Sequence, residues 1–143
     1  MQPGFVDLCK AVPGIECDAK YAGHDNFLGE PADGYFANRV VAAQQLAQAV
    51  FKAFELASEV GYGMLAWDSY RPQRAVDHFM RWALKPEDGA TKARHYPLLE
   101  RTRLVPMGYI AEKSGHTRGC AIDLTLTLNG SPIDMGGDFD LMD

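Results

Sequence analysis

The sequence lacks long hydrophobic runs, has fewer basic than acidic residues and contains only three cysteines. Each of these shortages argues against a class of protein. The 14 lysines and arginines are outnumbered by 19 aspartates and glutamates, which argues against nucleic-acid binding and against a polybasic membrane patch. No apolar run approaches transmembrane length. The first residues lack the basic and apolar regions of a signal peptide, so we expect a cytoplasmic protein that binds neither nucleic acid nor membrane.

The cysteines also argue against a disulfide framework. Cys9, Cys17 and Cys120 are odd in number and do not have the spacing of a zinc finger. We therefore expect three reduced thiols, as in a reducing compartment, with Cys120 serving as a small packing residue.

Length and composition predict one globular domain over residues 1–143. The chain is 47% hydrophobic and 23% charged, values typical of ordinary globular proteins, and it is long enough to bury a core. No repeat, low-complexity tract or linker divides it. Residues 1–37 are rich in glycine, proline and aspartate, and we expect ordered loops there, which often carry binding residues.

Apolar residues at helical spacing predict two helices. The first covers about residues 39–60, with Asn38 as its cap. The second begins near Pro72, a residue suited to a first helical turn. Residues 85–107 are polar and interrupted by prolines, so we expect irregular structure with some helix there.

Strands are predicted on either side of the second helix. Residues 64–67 form a wholly apolar run typical of a buried strand, and residues 109–111 are expected to form a short one. The dipeptide Asn129-Gly130 indicates a type I′ hairpin that joins residues 122–128 to residues 131–135. Pro132 favours a sheet edge for the second of these strands. Strand alternation places two sets on opposite faces: Ile122, Leu124, Leu126 and Leu128 toward the helices, and Asp123, Thr125 and Thr127 on the polar side.

The segment 114–123 carries the strongest signal for chemistry. It sets His116 and Asp123 seven positions apart, with glycines between them, and imidazole and carboxylate are ligands that catalytic zinc takes from proteins. An unbroken strand would send these two side chains to opposite faces. The turn at Arg118-Gly119 must therefore fold the chain if they are to share a metal. The other histidines, His24, His78 and His95, are expected in solvated or structural roles, with His78 on a helix surface and His24 and His95 in loops.

The pattern Ser-x-His-x-x-Gly-x-Ala-x-Asp in this segment resembles the metal motif of the VanX-type zinc D-alanyl-D-alanine dipeptidases. Four further segments match that family in order and spacing: residues 18–22, 25–27, 67–72 and 134–136. The resemblance implies an α+β fold, in which a small, mainly antiparallel sheet carries the metal ligands and helices pack on one face. It also implies zinc-dependent hydrolysis of D-Ala-D-Ala, either in peptidoglycan precursor metabolism or in glycopeptide resistance.

The resemblance assigns a role to each candidate site residue. His116 and Asp123 match the zinc ligands. Arg71 matches the residue that stabilises the oxyanion, and the following Pro72 biases it toward an extended backbone. Asp68 is expected to orient Arg71, although a purely structural ion pair between the two is the alternative.

Three further positions match residues with which the family recognises a short zwitterion. Asp140, helped by Tyr21, is expected to hold the substrate ammonium, and Ser114 is expected to donate a hydrogen bond to the carboxylate. The partner implied is a small dipeptide. The sequence leaves the oligomeric state open.

One element of the family pattern is missing from these residues. Relatives of this type continue further and carry a Glu-x-x-His element, whose histidine is the third zinc ligand and whose glutamate is the general base; no Glu-x-x-His occurs here. We expect a truncated form of a longer enzyme. The alternatives are a carboxypeptidase acting on longer stem peptides and, if the short form is natural, a catalytically inactive metal-dependent binding module.

Overall fold

A six-residue strand with alternating burial organises the central sheet. In the computed structural model, which describes residues 1–143, this strand is β4 (Gly63–Asp68). It runs parallel to β2 (Glu16–Cys17) on one side and antiparallel to β5 (Asp123–Leu128) on the other. A short edge strand, β6 (Ser131–Pro132), completes the order β2-β4-β5-β6. The mainly antiparallel sheet and the α+β class predicted from the sequence are confirmed.

A second sheet and four α-helices surround the central one. The second sheet pairs β1 (Phe5–Asp7) with β3 (Val41–Ala43) in antiparallel register. The α-helices are α1 (Leu8–Ala11), α2 (Gln44–Glu59), α3 (Gln73–Ala83) and α4 (Lys92–His95). Single 3₁₀ turns occur at Lys20–Ala22, Arg101–Arg103 and Gly115–Arg118. No helix has the length and apolarity needed to cross a membrane.

The hairpin prediction is confirmed at its turn. Asn129 and Gly130 both have positive φ, at 53° and 79°, as a type I′ turn requires. Pro132 lies in the edge strand, where its missing N–H costs no ladder bond. The second strand is shorter than predicted and ends at Pro132.

The structure differs from two of the predicted elements: the first helix begins later, and the strand predicted at residues 109–111 is absent. The first helix begins at Gln44 rather than near residue 39, since Val41–Ala43 pairs with β1. Asn38 does not cap it, and instead its side chain accepts a hydrogen bond from the backbone N–H of Ala19 at 2.7 Å. Residues 109–111 form no strand, because the amides of Tyr109 and Ile110 both bond to the carbonyl of Leu104 and close a turn.

Burial along β5 differs from the prediction that the leucine face is buried and the threonine face is polar. Leu124 and Leu126 pack only partly against the core beneath α2, whereas Thr125 and Thr127 are each 4% exposed. The chain after β6 folds back over the predicted polar face, where Phe139 packs against Trp67 with ring centroids 5.1 Å apart. The threonine face is therefore covered rather than solvated.

The cysteine prediction is wrong for two residues. Cys9 of α1 and Cys17 of β2 form a disulfide, with their Cα atoms 6.4 Å apart. A tight turn between these elements, closed by the hydrogen bond from Ile15 N–H to the Val12 carbonyl, brings the two thiols together. Cys120 is free and exposed, so it is not a packing residue.

Two apolar clusters lie on different sides of the central sheet. One packs α2 against β4 and includes Val12, Val50 and Met64. The other is aromatic and is built around the apolar face of α3, where Phe79 lies 5.0 Å from the ring of Tyr21 and 4.9 Å from that of Phe27. Aromatic pairs at these distances add stability beyond their buried area. The second cluster therefore fixes Tyr21, one of the candidate site residues.

The turn between His116 and β5 depends on Gly119. This residue has φ +70°, donates its N–H to the His116 carbonyl, and accepts a hydrogen bond from the Ala43 N–H at 3.0 Å. A Cβ atom there would lie 2.6 Å from the Phe5 ring and 3.1 Å from the Ala43 nitrogen. Left-handed backbone and close packing both require glycine at this position.

We predict that Gly119→Ala lowers the free energy of unfolding by at least about 3 kcal/mol, because left-handed strain and overpacking add together. Gly130→Ala is the matched control, since Gly130 has a similar φ but a Cβ added to it would meet no atom within 4 Å. It should lose only about 1–2 kcal/mol. Urea denaturation measures both, and equal losses would contradict the packing argument.

Candidate functional site

Three side chains that could bind a metal meet at one end of the central sheet. Asp68 ends β4, Asp123 begins β5, and His116 lies in the 3₁₀ turn that precedes β5. Their potential ligand atoms all lie within 4.8 Å of one another. A register shift between Ala66 and Asp68 places the two aspartates opposite each other across β4 and β5.

The orientation of His116 leaves one ring nitrogen free for a ligand role. Its Nδ1 lies 2.8 Å from the carbonyl oxygen of Ser69. A carbonyl only accepts, so Nδ1 carries the proton and Nε2 presents its lone pair in the neutral ring. Metal-binding histidines are usually held in this way by a backbone carbonyl or a carboxylate.

The free nitrogen of His116 points at Asp123. Nε2 lies 3.4 Å from Oδ1 of Asp123, and two ligand atoms about 2.0–2.1 Å from a tetrahedral zinc would lie about 3.4 Å apart. Burial opposes a charged imidazolium, but the carboxylates of Asp123 and Asp68 outweigh it and raise the pKa of His116. The site thus attracts positive charge, and the His116–Asp123 pair fits zinc.

Asp68 is already engaged by other side chains. Its Oδ2 accepts hydrogen bonds from Arg71 Nε at 3.0 Å and Nη2 at 2.8 Å, and its Oδ1 accepts one from the Tyr35 hydroxyl at 2.6 Å. Burial raises the pKa of Asp68 to about 6, although Arg71 and the Tyr35 hydroxyl both favour its charged form. With both oxygens bonded, Asp68 is better suited to orient Arg71 than to bind a metal.

Arg71 is a fixed cation beside the His116–Asp123 pair. Its backbone N–H donates to the His116 carbonyl at 3.0 Å, and its guanidinium lies 5.1 Å from the ring centres of Tyr21 and Phe79. Burial disfavours the charge of Arg71, but the adjacent Asp68 carboxylate more than offsets this and raises the pKa of Arg71. Nη2 is also 3.5 Å from Asp123. The guanidinium can therefore meet negative charge that develops near Asp123.

A cavity of about 220 Å³ contains six of the seven predicted site residues. They are Tyr21, Arg71, Ser114, His116, Asp123 and Asp140. Asp68 is not among its lining residues and contacts Arg71 instead. The structure thus brings together residues up to 119 positions apart in the chain.

Two of the three residues predicted to recognise substrate contact each other in the cavity wall. The hydroxyl of Tyr21 donates to Oδ2 of Asp140. Burial raises the pKa of both groups. The Ser114 hydroxyl oxygen accepts the His116 N–H at 3.2 Å, which leaves its own proton free to be donated.

Sequence reasoning missed three residues that support these side chains. Tyr35 binds Asp68, Ser69 holds His116, and His95 places Nδ1 3.2 Å from the carbonyl oxygen of Asp140. The contacts of Tyr35, Ser69 and His95 span 33, 47 and 45 positions, so no local pattern could have indicated them.

Two of the histidine predictions are wrong. His95 lies in α4 rather than in a loop and is only 1% exposed. His78 is 8% exposed instead of lying at the surface, because the loop before β3 covers it. Its Nδ1 accepts the Asp33 N–H, and its Nε2 bonds to Glu30.

Known proteins resemble this chain along its whole length. A family model described as D-ala-D-ala dipeptidase, peptidase family M15, matches residues 1–143. A D-alanyl-D-alanine dipeptidase from Streptomyces coelicolor is 54% identical over 141 residues, which cover 97% of this chain and 69% of that protein. One from Enterococcus faecium is 51% identical over 100% of this chain and 72% of its own length. A more distant relative of the same name, from Escherichia coli, is 33% identical over 96% of this chain and 62% of its own.

These matches agree with the motif, the α+β fold and the side chains gathered at the end of the sheet. The chain therefore belongs to the D-Ala-D-Ala dipeptidase family, peptidase family M15.

Proposed function

We propose that this protein is a zinc-dependent D-alanyl-D-alanine dipeptidase that acts in peptidoglycan precursor metabolism or in glycopeptide resistance. The observation that carries the proposal is the His116–Asp123 pair beside a fixed guanidinium in a small cavity, in a member of this family. The relatives named above supply the substrate class.

His116 and Asp123 are the residues of this chain that would hold the metal. Zinc, when bound, would polarise the scissile carbonyl and activate water. Catalytic zinc usually has three protein ligands. The family resemblance assigns the third ligand and the general base to a Glu-x-x-His element that residues 1–143 do not contain, so we assign neither role to a residue of this chain.

Arg71 would stabilise the oxyanion that forms when water attacks the peptide carbonyl. Its guanidinium is held by Asp68 and needs no reorganisation during the reaction, and such preorganised charge is a major source of catalysis. The distance of 3.5 Å between Nη2 of Arg71 and Asp123 supports a role beside the proposed metal.

The two ends of the dipeptide would be recognised by separate groups. Only one oxygen of Asp140 is bonded to Tyr21, so the other is free to accept the substrate ammonium. The Ser114 hydroxyl would donate to the terminal carboxylate.

The remaining parts of the proposal concern the setting of the enzyme. We propose a single metallopeptidase domain over residues 1–143, a small dipeptide as the partner, and a cytoplasmic location. The Cys9–Cys17 disulfide is a bond more typical of oxidising compartments. The cytoplasmic location therefore stays a prediction.

Our prediction for the metal concerns the protein expressed from its full open reading frame. His116→Ala and Asp123→Ala should each weaken zinc binding by about 100-fold or more and abolish activity, since loss of a supporting partner alone costs about 10–100-fold. Elemental analysis and zinc titration measure the effect. His24→Ala, which removes an exposed histidine, is the control and should keep stoichiometric zinc. Full zinc content in both ligand variants would refute the assignment.

Our prediction for Arg71 is a loss in kcat. Arg71→Ala should lower kcat by about 100-fold or more while KM changes little, because the charge it meets develops in the transition state. Arg74→Ala removes an exposed arginine three residues away and should retain activity. A change confined to KM would indicate that Arg71 anchors the substrate. Unfolding of the variant would indicate that Arg71 has a structural role as the ion-pair partner of Asp68.

Our prediction for substrate length depends on Asp140. Acylating the substrate amine leaves the buried carboxylate of Asp140 without its partner. N-acetyl-D-Ala-D-Ala should therefore be cleaved at least about 100-fold more slowly than D-Ala-D-Ala, which corresponds to an activation free energy about 2.7 kcal/mol higher. Asp140→Asn should reduce the difference in rate between the two substrates, because it should slow only the cleavage of D-Ala-D-Ala. Equal kcat/KM for the two substrates would favour the carboxypeptidase alternative.

A further inference from the structure

Residues 138–142 form a strap that is fastened to α4 beside the cavity. The Asp138 carboxylate accepts a hydrogen bond from Arg94 Nε at 3.0 Å. The N–H of Met142 donates to the backbone carbonyl of His95 at 2.7 Å. Between these two points, the ring of His95 reaches the carbonyl of Asp140. A four-residue helix thus contacts the strap at three positions.

The backbone of Asp140 has an unusual conformation. Its φ is +53°, and Asp140 and Asn129 are the only residues other than glycine with positive φ. Such conformations cost free energy and persist where the surrounding structure enforces them. Here Phe139 and Met142 enforce it from either side, since both are buried in the aromatic cluster.

This conformation determines where the Asp140 carboxylate points. With φ positive, the side chain lines the cavity and accepts the Tyr21 hydroxyl at one oxygen. Rotation of the backbone to the more common negative φ would carry the carboxylate away from Tyr21. Besides the buried side chains of Phe139 and Met142, the contact between His95 and the Asp140 carbonyl opposes this rotation.

The ring of His95 acts as a donor in this contact. Because a carbonyl oxygen only accepts, the proton must lie on Nδ1. The side chain is 1% exposed, so water does not compete for the bond. His95 itself does not line the cavity and cannot touch a substrate there.

We propose that His95 is a positioning residue that sets substrate specificity: its Nδ1–H holds the Asp140 carbonyl, keeps Asp140 in the left-handed conformation, and so aims the carboxylate at the substrate ammonium. The inference rests on the proposed function, in which Asp140 recognises that ammonium. It assigns to His95 a selective effect on substrates with a free amine, which a core histidine would not have.

The test compares two substitutions in the zinc-loaded protein expressed from its full open reading frame. Asparagine places its amide nitrogen where Nδ1 lies, whereas glutamine places it near Nε2. His95→Gln should lower kcat/KM for D-Ala-D-Ala by about tenfold, the scale of one hydrogen bond, and leave N-acetyl-D-Ala-D-Ala unchanged. It should also speed amide hydrogen exchange in residues 138–142 by about tenfold. His95→Asn should keep kcat/KM for D-Ala-D-Ala and the exchange rates of residues 138–142 near those of the unsubstituted protein.

Several outcomes would overturn the inference. These are an equal loss for both substrates, unchanged exchange in the strap, and matching behaviour of His95→Asn and His95→Gln. Asp140→Asn separates the two proposals: if it leaves substrate discrimination intact, the ammonium assignment fails, and if it acts while His95→Gln does not, only the role of His95 fails. Should His95→Gln not fold, ¹⁵N chemical shifts of the unsubstituted protein decide, since protonation at Nε2 instead of Nδ1 excludes the contact.

Discussion

The rest of the site depends on the hydrogen bonds of the buried Asp68 carboxylate. It is 2% exposed and would be costly to bury alone, but Arg71 and Tyr35 together bond to both of its oxygens. The same strand continues into Ser69, whose carbonyl fixes the tautomer of His116. One end of β4 therefore sets the direction of the Arg71 guanidinium and of the His116 nitrogen that is proposed to bind the metal. Loss of this carboxylate would release the guanidinium of Arg71, whereas His116 would keep its bond to the Ser69 carbonyl.

The substrate side of the cavity has a separate support. Tyr21 is held by the aromatic cluster around α3, and Asp140 is held by a strap fastened to α4. The end of the sheet thus supports the groups proposed for the reaction, while the aromatic cluster and α4 support Tyr21 and Asp140. Since the two sets rest on different elements, substitutions in one should alter rate and substitutions in the other should alter selectivity.

The same contacts distinguish an enzyme from a passive metal-binding module. A binding module needs ligands for the ion but has no need of a buried guanidinium aimed beside them. Arg71 is desolvated and held by two hydrogen bonds to Asp68, and it also contacts the faces of two rings. The Asp68 carboxylate offsets the cost of burying this cation in the folded protein, and a charge held in place in this way can stabilise negative charge that develops in a transition state.

The sequence by itself determined the α+β class, the second helix after Pro72, the hairpin turn at Asn129-Gly130 and the group of residues that meet in the cavity. The helix and the turn follow from local signals, namely helical spacing and turn chemistry, whereas the α+β class and the group of site residues follow from the family resemblance that the motifs carry. Only the tertiary structure decided the strand at Val41–Ala43, the disulfide, the covered threonine face of β5 and the roles of Tyr35 and His95. Each of these depends on a partner that is remote in sequence, except Cys9 and Cys17, which a turn of the folded chain brings together. Hydrogen bonding and burial act through space, and a one-dimensional pattern does not record which distant group will satisfy them.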